Sequence, residues 1–497
     1  PDSAQAWNRS CPPAGPCGQP ATGLLCGAAA ALVVLLHRRP TAAASTRRRR
    51  VAARSKAVPG DASSDSEIPS SDLFAAGLVY FTQGALGLAA LAKPFLFKDE
   101  LHLPPAEASL LMTLTYWPWL LKPLWGFITD SFPIFGSRRR SYLLLSGLGS
   151  CVGWLGLGVG PGGESKEVVV ALMMLGNLGI AFSDVVIDGL VVEKARGASG
   201  IMGNLQSFCW GSRAVGAVLS AYFSGALLEA WGVRAVFSLT AALPLLVAIA
   251  ALLIDEPKQD KAQVPVKDVL ADVQAQLEEV WGVLKAPEIL ASVAFIALWQ
   301  VTPNSGSAMF YFLTNSLSMG PEFLGRSQLL GSLASLAGIV LYNRVFASVP
   351  LRQYLFWANV TAVALGMLPL LLVTRMNLAL NISDQAFVLG DDVIQVVAGE
   401  LAHMPILVLA AQLCPPGVEA TLFALLMSLL NLSSTVASFA GAALTDALHV
   451  TETDFTNLPL LVLICNVSGL LPLALLSFVP EGSLDKRRAV GTSAPAS

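Results

Sequence analysis

Gly126-Phe-Ile-Thr-Asp130-Ser-Phe-Pro-Ile-Phe-Gly136-Ser-Arg138-Arg139-Arg140 is the stretch on which the fold turns. Before it lies an apolar run at about 106–130, and after it another at about 141–161. A glycine, a lone acid, a turn and a basic cluster therefore separate two stretches each long enough to cross about 30 Å of hydrocarbon as a helix. Asp130 stands at a helix end, where it can pair with an arginine or a helix N-terminus in one conformation and release it in another. Plain positive charge beside a membrane is the simpler reading of Arg138, Arg139 and Arg140.

Working outward, the alternation repeats. From Asp72 onward there are twelve apolar segments, at about 73–97, 106–130, 141–161, 167–191, 203–229, 235–254, 288–315, 325–347, 351–374, 384–413, 419–446 and 456–479. Helices are the expected form, because unpaired backbone cannot face lipid and no barrel alternation is present. Composition agrees: 54% of the 497 residues are hydrophobic and 13% are charged, about half the usual share in a soluble domain. That excludes a soluble enzyme and a disordered chain, and the net charge of −3 gives nucleic-acid binding no electrostatic support. The seven cysteines and four histidines show no metal-ligand or disulfide spacing, and no cofactor is implied. No nucleophile–base pair marks an enzyme.

With both termini on one side, that side holds Arg138, Arg139, Arg140, Lys194, Arg196, Lys258, Lys261, Lys267, Lys285, Arg344, Arg352, Lys486, Arg487 and Arg488. The other holds only Lys98, Lys166, Arg234, Arg326 and Arg375. The bias makes the first side cytosol-like, or stromal. Residues 1–70 are Arg- and Ser-rich with few acids, the composition of an organelle transit peptide; a disordered cytosolic tail is the alternative. The run 21–36 is short for a span and fits a signal h-region, and the first residue is Pro1 rather than Met, so residues upstream are expected. The expected divisions are a leader (1–70), a six-helix bundle (71–254), a polar linker with an amphipathic helix at 266–284 (255–287), a second six-helix bundle (288–480) and a disordered tail (481–497). Gly126 and Gly338, 212 positions apart, and Asp184 and Asp391, 207 apart, give a weak internal repeat. A six-plus-six plan resembles the major facilitator superfamily, and the Gly126–Arg140 loop resembles its signature loop with a few residues inserted.

Charge inside a span is costly and points to function. Asn177, Ala181, Asp184 and Asp188 share one face of span four, and either acid can carry a proton or pair with a cation such as Arg213. Gln206, Trp210, Arg213 and Ala217 share a face of span five. Arg213 suits a carboxylate and Trp210 a flat ring, while a structural bridge to Asp184 is equally open. Asp391 and Gln395 share a face of span ten. Span seven is interrupted at Pro303, with Gln300, Asn304, Ser307 and Tyr311 on one face; Thr421, Ser428, Asn431, Thr435 and Ser438 line span eleven. Such hydroxyl stripes serve equally as interhelical glue. For Lys93 and Lys122, at the ends of spans one and two, snorkelling to an interface is the simple reading. His403 reads as a packing residue.

Three stretches narrow the resemblance: Lys122-Pro-Leu-Trp-Gly-Phe-Ile-Thr-Asp130-Ser-Phe-Pro-Ile-Phe-Gly136, Ser183-Asp-Val-Val-Ile-Asp188-Gly-Leu-Val-Val-Glu193-Lys-Ala-Arg196, and Gly203-Asn-Leu-Gln206-Ser-Phe-Cys-Trp210-Gly. Together they resemble the folate–biopterin transporter family, over about 72–480. The resemblance implies a secondary carrier of folates or pterins, commonly coupled to protons, in a plastid envelope membrane for leader-bearing members; a plasma membrane is the alternative. It implies substrate contacts from Arg213, Trp210, Gln206, Asp184, Asn304, Gln300 and Asp391, proton coupling through Asp184, Asp188 or Asp391, and a latch of Gly126, Asp130 and Arg138–Arg140. A different organic anion, or a receptor without flux, remains open. Partners are the small molecule, protons and lipid; a monomer suffices, and the oligomeric state is open. Gly338-Ile-Val-Leu-Tyr342-Asn-Arg344 lacks the acid a second latch needs.

Overall fold

In the computed structural model, residues 70–160, 165–195, 201–254, 256, 287–346, 349–412 and 419–479 are described. The expected leader, amphipathic linker helix and tail lie outside them. Among the described residues every long element is a helix. Span one is α1 (Ser70–Ala85) and α2 (Leu88–Phe95), continued by a π-turn over Leu96–Glu100. Span two is α3 (Pro105–Thr115), α4 (Trp117–Leu120) and α5 (Lys122–Ser131). Then follow α6 (Arg140–Val159), α7 (Lys166–Ala195) and α8 (Ile201–Leu253). The second half holds α9 (Pro287–Val301), α10 (Gly306–Tyr311) with a π-turn over Phe312–Ser316, and α11 (Pro321–Leu341) with a π-turn over Tyr342–Phe346. It ends with α12 (Leu351–Leu365), α13 (Pro369–Val373), α14 (Met376–Ala379), α15 (Asp384–Gln412), α16 (Glu419–Ala447), α17 (Leu458–Ser468) and a 3-10 stretch over Leu471–Phe478.

Each of the twelve apolar segments thus carries helix. Eight helical stretches among the described residues are long and apolar enough to cross a membrane. α8 contains two spans, split at Gly232, whose φ of 78° and ψ of 173° only glycine adopts at little cost. Span two breaks twice because Pro118 and Pro123 cannot donate to the helix ladder and clash with the preceding turn. The Pro118 carbonyl instead accepts the Trp125 indole N–H at 2.7 Å. Span seven breaks at 302–305 around Pro303, as its sequence predicts.

Close packing of backbones holds the first half together. A Cβ on Gly84 would lie 2.7 Å from the Ala217 nitrogen, and one on Gly216 would lie 2.8 Å from the Ala85 nitrogen, so α1 and α8 meet through glycines. Two buried clusters fill this half, one around Trp154, Phe237 and Phe97, the other around Leu143, Val186 and Val247. Two more, around Phe295 and Ile406 and around Phe312 and Leu461, fill the second half. Many large apolar side chains face outward, Val152, Ile249, Leu333 and Trp357 among them, as a lipid-exposed surface requires.

The described contacts between the halves gather at the end opposite Arg138–Arg140. Tyr311 donates its hydroxyl to the Leu103 carbonyl (2.5 Å) and Ser307 donates to the Pro105 carbonyl (2.8 Å). Lys98 donates to the Asn315 side-chain oxygen (3.1 Å), and the Glu322 N–H donates to the Glu229 carboxylate (3.1 Å). Phe95 and Phe310 meet edge to face, with centroids 5.1 Å apart.

Candidate functional site

The double break in span two sets Lys122 at the first turn of α5, facing span four. There its ammonium forms an ion pair with Asp184, over the Trp119 ring at 4.8 Å. The Asp184 side chain is 6% exposed and that of Lys122 is 28% exposed. This corrects two readings of the sequence: Lys122 does not snorkel, and the basic partner of Asp184 is Lys122, not Arg213. Periodicity along one helix cannot reveal a partner on another; the proline break that places Lys122 was the available signal. Lys93 is also buried rather than snorkelling; its ammonium donates to the Tyr116 hydroxyl (3.1 Å) and lies 5.5 Å from the Trp154 ring centroid.

One turn further along α7, Asp188 accepts a hydrogen bond from the Tyr80 hydroxyl on α1. The Tyr80 ring stands 6.5 Å from that of Trp210, and the Arg213 guanidinium lies over Trp210 at 5.2 Å. Asp184, Asp188, Trp210 and Arg213 are therefore brought together, with Tyr80 as a linking residue the sequence reading missed. The Gln206 and Asp130 side chains lie outside the described residues.

Trp210 and Arg213 form one wall of a cavity of about 760 Å³ between the halves. The opposite wall is built by Ser327, Ser332 and Ser335 from α11 and Asp392 and Gln395 from α15. Asp392 thus lines the cavity, whereas Asp391 accepts from the Gln395 amide (3.1 Å) beside it. A one-residue step rotates a helix by about 100°, so sequence alone does not choose between adjacent acids. A second cavity of about 410 Å³ lies between Tyr116 and Thr113 of span two and Asn304, Asn431, Thr435 and Ser438 of the second half. Asn304 donates to the Ser438 hydroxyl at 3.5 Å. Gln300 is half-buried one turn before the break in span seven, and Thr421 has no described side chain. His403 packs its ring against Trp299 (centroids 5.7 Å apart), as expected.

The signature loop closes as a turn. Ile134 and Ser137 exchange backbone hydrogen bonds at 3.0 Å, and Phe135 and Gly136 both have positive φ. The backbone N–H groups of Arg138, Arg139 and Arg140 then converge on the Glu256 carboxylate at 2.7, 3.0 and 3.0 Å, and the Ser137 hydroxyl donates to it at 2.5 Å. The sequence reading missed this acid, which caps the N-terminus of α6 just after span six. Its position directly after an apolar run was the only signal. The Arg139 side chain is buried against Gly189 of α7. Burial pushes the Glu256 carboxyl up, but the Ser137 hydroxyl and the three backbone donors outweigh it and hold it below the ordinary carboxylate value. A depressed carboxyl stabilises the fold above its unfolded value and ceases to do so as pH falls through the folded value. The cap is thus fully charged at neutral pH. Glu256→Ala is expected to cost about 1–2 kcal/mol at pH 7, with a smaller loss at pH 4. Thermal unfolding of the purified protein at both pH values checks this; an equal loss at both would contradict it.

A helical bundle with a polar cavity between two halves, ion pairs inside the spans and contacts at one end is the major facilitator fold. The solved D-xylose–proton symporter superposes with a TM-score of 0.59 at 15% identity, covering 82% of this chain and 97% of the other. The chain belongs to the BT1 family, whose model matches residues 83–495. It is 45% identical to the folate-biopterin transporter of Synechocystis sp. over 434 residues, covering 86% of this chain and 84% of that one. It is 30% identical to folate transporter 1 of Plasmodium falciparum over 410 residues, covering 82% and 79%. These relatives are transporters, not enzymes, as the sequence predicts.

Proposed function

We propose that the protein carries folates or pterins across a membrane by alternating access, with proton symport. The observation that carries this is the cavity between the halves. Trp210 and Arg213 on one wall face Asp392 and Gln395 on the other. A folate has a flat ring with adjacent amino and ring N–H donors, and carboxylates on a glutamate tail. An indole face suits the ring, a guanidinium the tail, and the Gln395 amide the ring donors. The names of the Synechocystis and Plasmodium relatives support the same cargo. Closure at the Tyr311–Leu103 end supports a state open toward the basic face. The moving bodies in this reading are residues 71–254 and 288–480, joined by the linker, and the leader directs the chain to a plastid envelope.

The test is uptake of labelled folate and labelled pterin by vesicles containing the purified protein, at two external pH values. Wild type is expected to accumulate at least one of them, more strongly with an inward proton gradient. Arg213→Gln is expected to raise KM for folate by about tenfold while leaving pterin nearly unchanged, because pterin lacks the tail carboxylates. Equal loss for both substrates would place Arg213 outside the tail site. No uptake of either, with another organic anion taken up instead, would replace the cargo.

A further inference from the structure

The halves are repeats in their helix order but not in their chemistry. In the first half, the contact between spans two and four carries a cation–anion pair, Lys122 with Asp184. In the second half the equivalent contact, between spans eight and ten, carries carboxyls held by hydroxyls. Ser327 donates to Asp392, and Ser335 donates to Glu400 at 2.6 Å. The two pairs keep one register: both serines and both acids are eight residues apart. Gly338, the repeat partner of Gly126, makes room for the second pair; a Cβ there would lie 2.9 Å from the Glu400 Cβ.

That difference has an electrostatic meaning. Asp184 is neutralised by an ammonium, so its charge is satisfied without a proton. Asp392 and Glu400 meet neutral partners, and a lone carboxylate in a span is costly unless a cation or proton joins it. A serine hydroxyl suits both states: it donates to a carboxylate and accepts from a carboxylic acid. We propose that the coupled proton is carried in the second half, on the hydroxyl-paired carboxyls of α15, and that Asp392, which opens onto the cavity, is the first acceptor. Glu400 stands two turns, about 12 Å, closer to the basic end and takes the proton onward. The step transfers one proton from water in the cavity to an Asp392 oxygen, while Ser327 rotates from donor to acceptor. This rests on the symport reading above.

The other groups near these acids fit a proton site. Asp391 lies beside Asp392 and accepts from Gln395, and across the cavity stands Arg213. α11 carries Glu322 paired with Arg326 near the opposite end, and the π-turn after it carries Tyr342 and Arg344 at the basic end. α12 begins at Leu351 with Arg352 and places Tyr354, whose hydroxyl donates to the Leu401 carbonyl at 3.0 Å. Asp384, at the start of α15, pairs with Arg375 and Asn377. His403 follows Glu400 by three residues and packs on Trp299. α9 carries Glu288 at its start and no other ionisable residue, and α16 carries Glu419 at its start and Asp446 near the opposite end.

The test uses vesicles holding the full chain and separates gradient-driven accumulation from folate–folate counterflow, which needs substrate binding and access but no net proton movement. For one proton per substrate, a one-unit pH step drives accumulation of about tenfold. Asp392→Asn is expected to abolish that tenfold response while keeping counterflow within about twofold of wild type. Glu400→Gln is expected to do the same. Ser327→Ala, which keeps the carboxyl, retains the response with a shifted pH midpoint. Retained gradient response in Asp392→Asn overturns the proposal, as does parallel loss of counterflow in folded protein, which would make Asp392 a substrate ligand. Wild type that performs counterflow but ignores the gradient removes the symport reading itself and this assignment with it. Size-exclusion profiles of each variant confirm folding.

Discussion

Asp184→Asn alone is expected to destabilise the protein by about 3 kcal/mol, and Lys122→Met by about as much, because each leaves a charge within the membrane without its partner. The double variant Lys122→Met/Asp184→Asn is expected to recover most of that loss, since both charges leave together. Thermal unfolding in detergent over the four-member cycle measures the coupling. Independent losses that simply add would mean that the pair is not a pair. Transport reads differently: the double variant remains slow if opening requires Lys122 and Asp184 to separate, and recovers if the pair only supports the fold. The position of Asp184, 6% exposed at its side chain, makes this among the largest single-site effects expected.

Gly84→Leu and Gly216→Leu are expected to be as damaging by a different route. Any Cβ at 84 drives into the backbone of α8 at Arg213 and Ala217, and any Cβ at 216 drives into α1 at Phe81 and Ala85. Backbone cannot yield as a side chain tip can, so the helices must part, at a cost of about 3 kcal/mol or more. Gly84 also lies against the residue whose guanidinium lines the cavity, so a tolerated Gly84→Ala is expected to move Arg213 and raise KM for folate before it lowers expression. Gly149, with nothing within 4 Å of its would-be Cβ, is the control, and Gly149→Ala is expected to be silent. Loss of yield at 84 and 216 without loss at 149, on a fluorescence size-exclusion profile, checks the argument.

Much of the candidate site was legible because charge inside an apolar span stands out. Asp184, Asp188, Arg213 and Trp210 were singled out in that way, and the structure groups them. What was not legible depended on pairing between helices. The partner of Asp184 came from span two, the cap on Arg138–Arg140 came from Glu256 after span six, and the cavity-facing acid of span ten was Asp392 rather than Asp391. Glu400 was overlooked although, as a charge in the middle of span ten, it carries the same mark as Asp184; its pairing with Ser335 on span eight had no mark in the sequence. Asn304 was picked out by the Pro303 break and does line a cavity, because a broken span leaves side chains that a continuous helix would cover.

The sequence by itself determined that the chain is an all-helical membrane protein, how its apolar segments are spaced, which face is basic and which family it resembles. Those properties follow from the cost of unpaired backbone and charge in hydrocarbon, and that cost acts residue by residue along the chain. Tertiary structure alone decided that Lys122 neutralises Asp184 while Asp392 and Glu400 rest on hydroxyls. The reason is that an ion pair between helices depends on their rotation and separation, which glycine contacts, proline breaks and packing set, and none of these is periodic in the sequence.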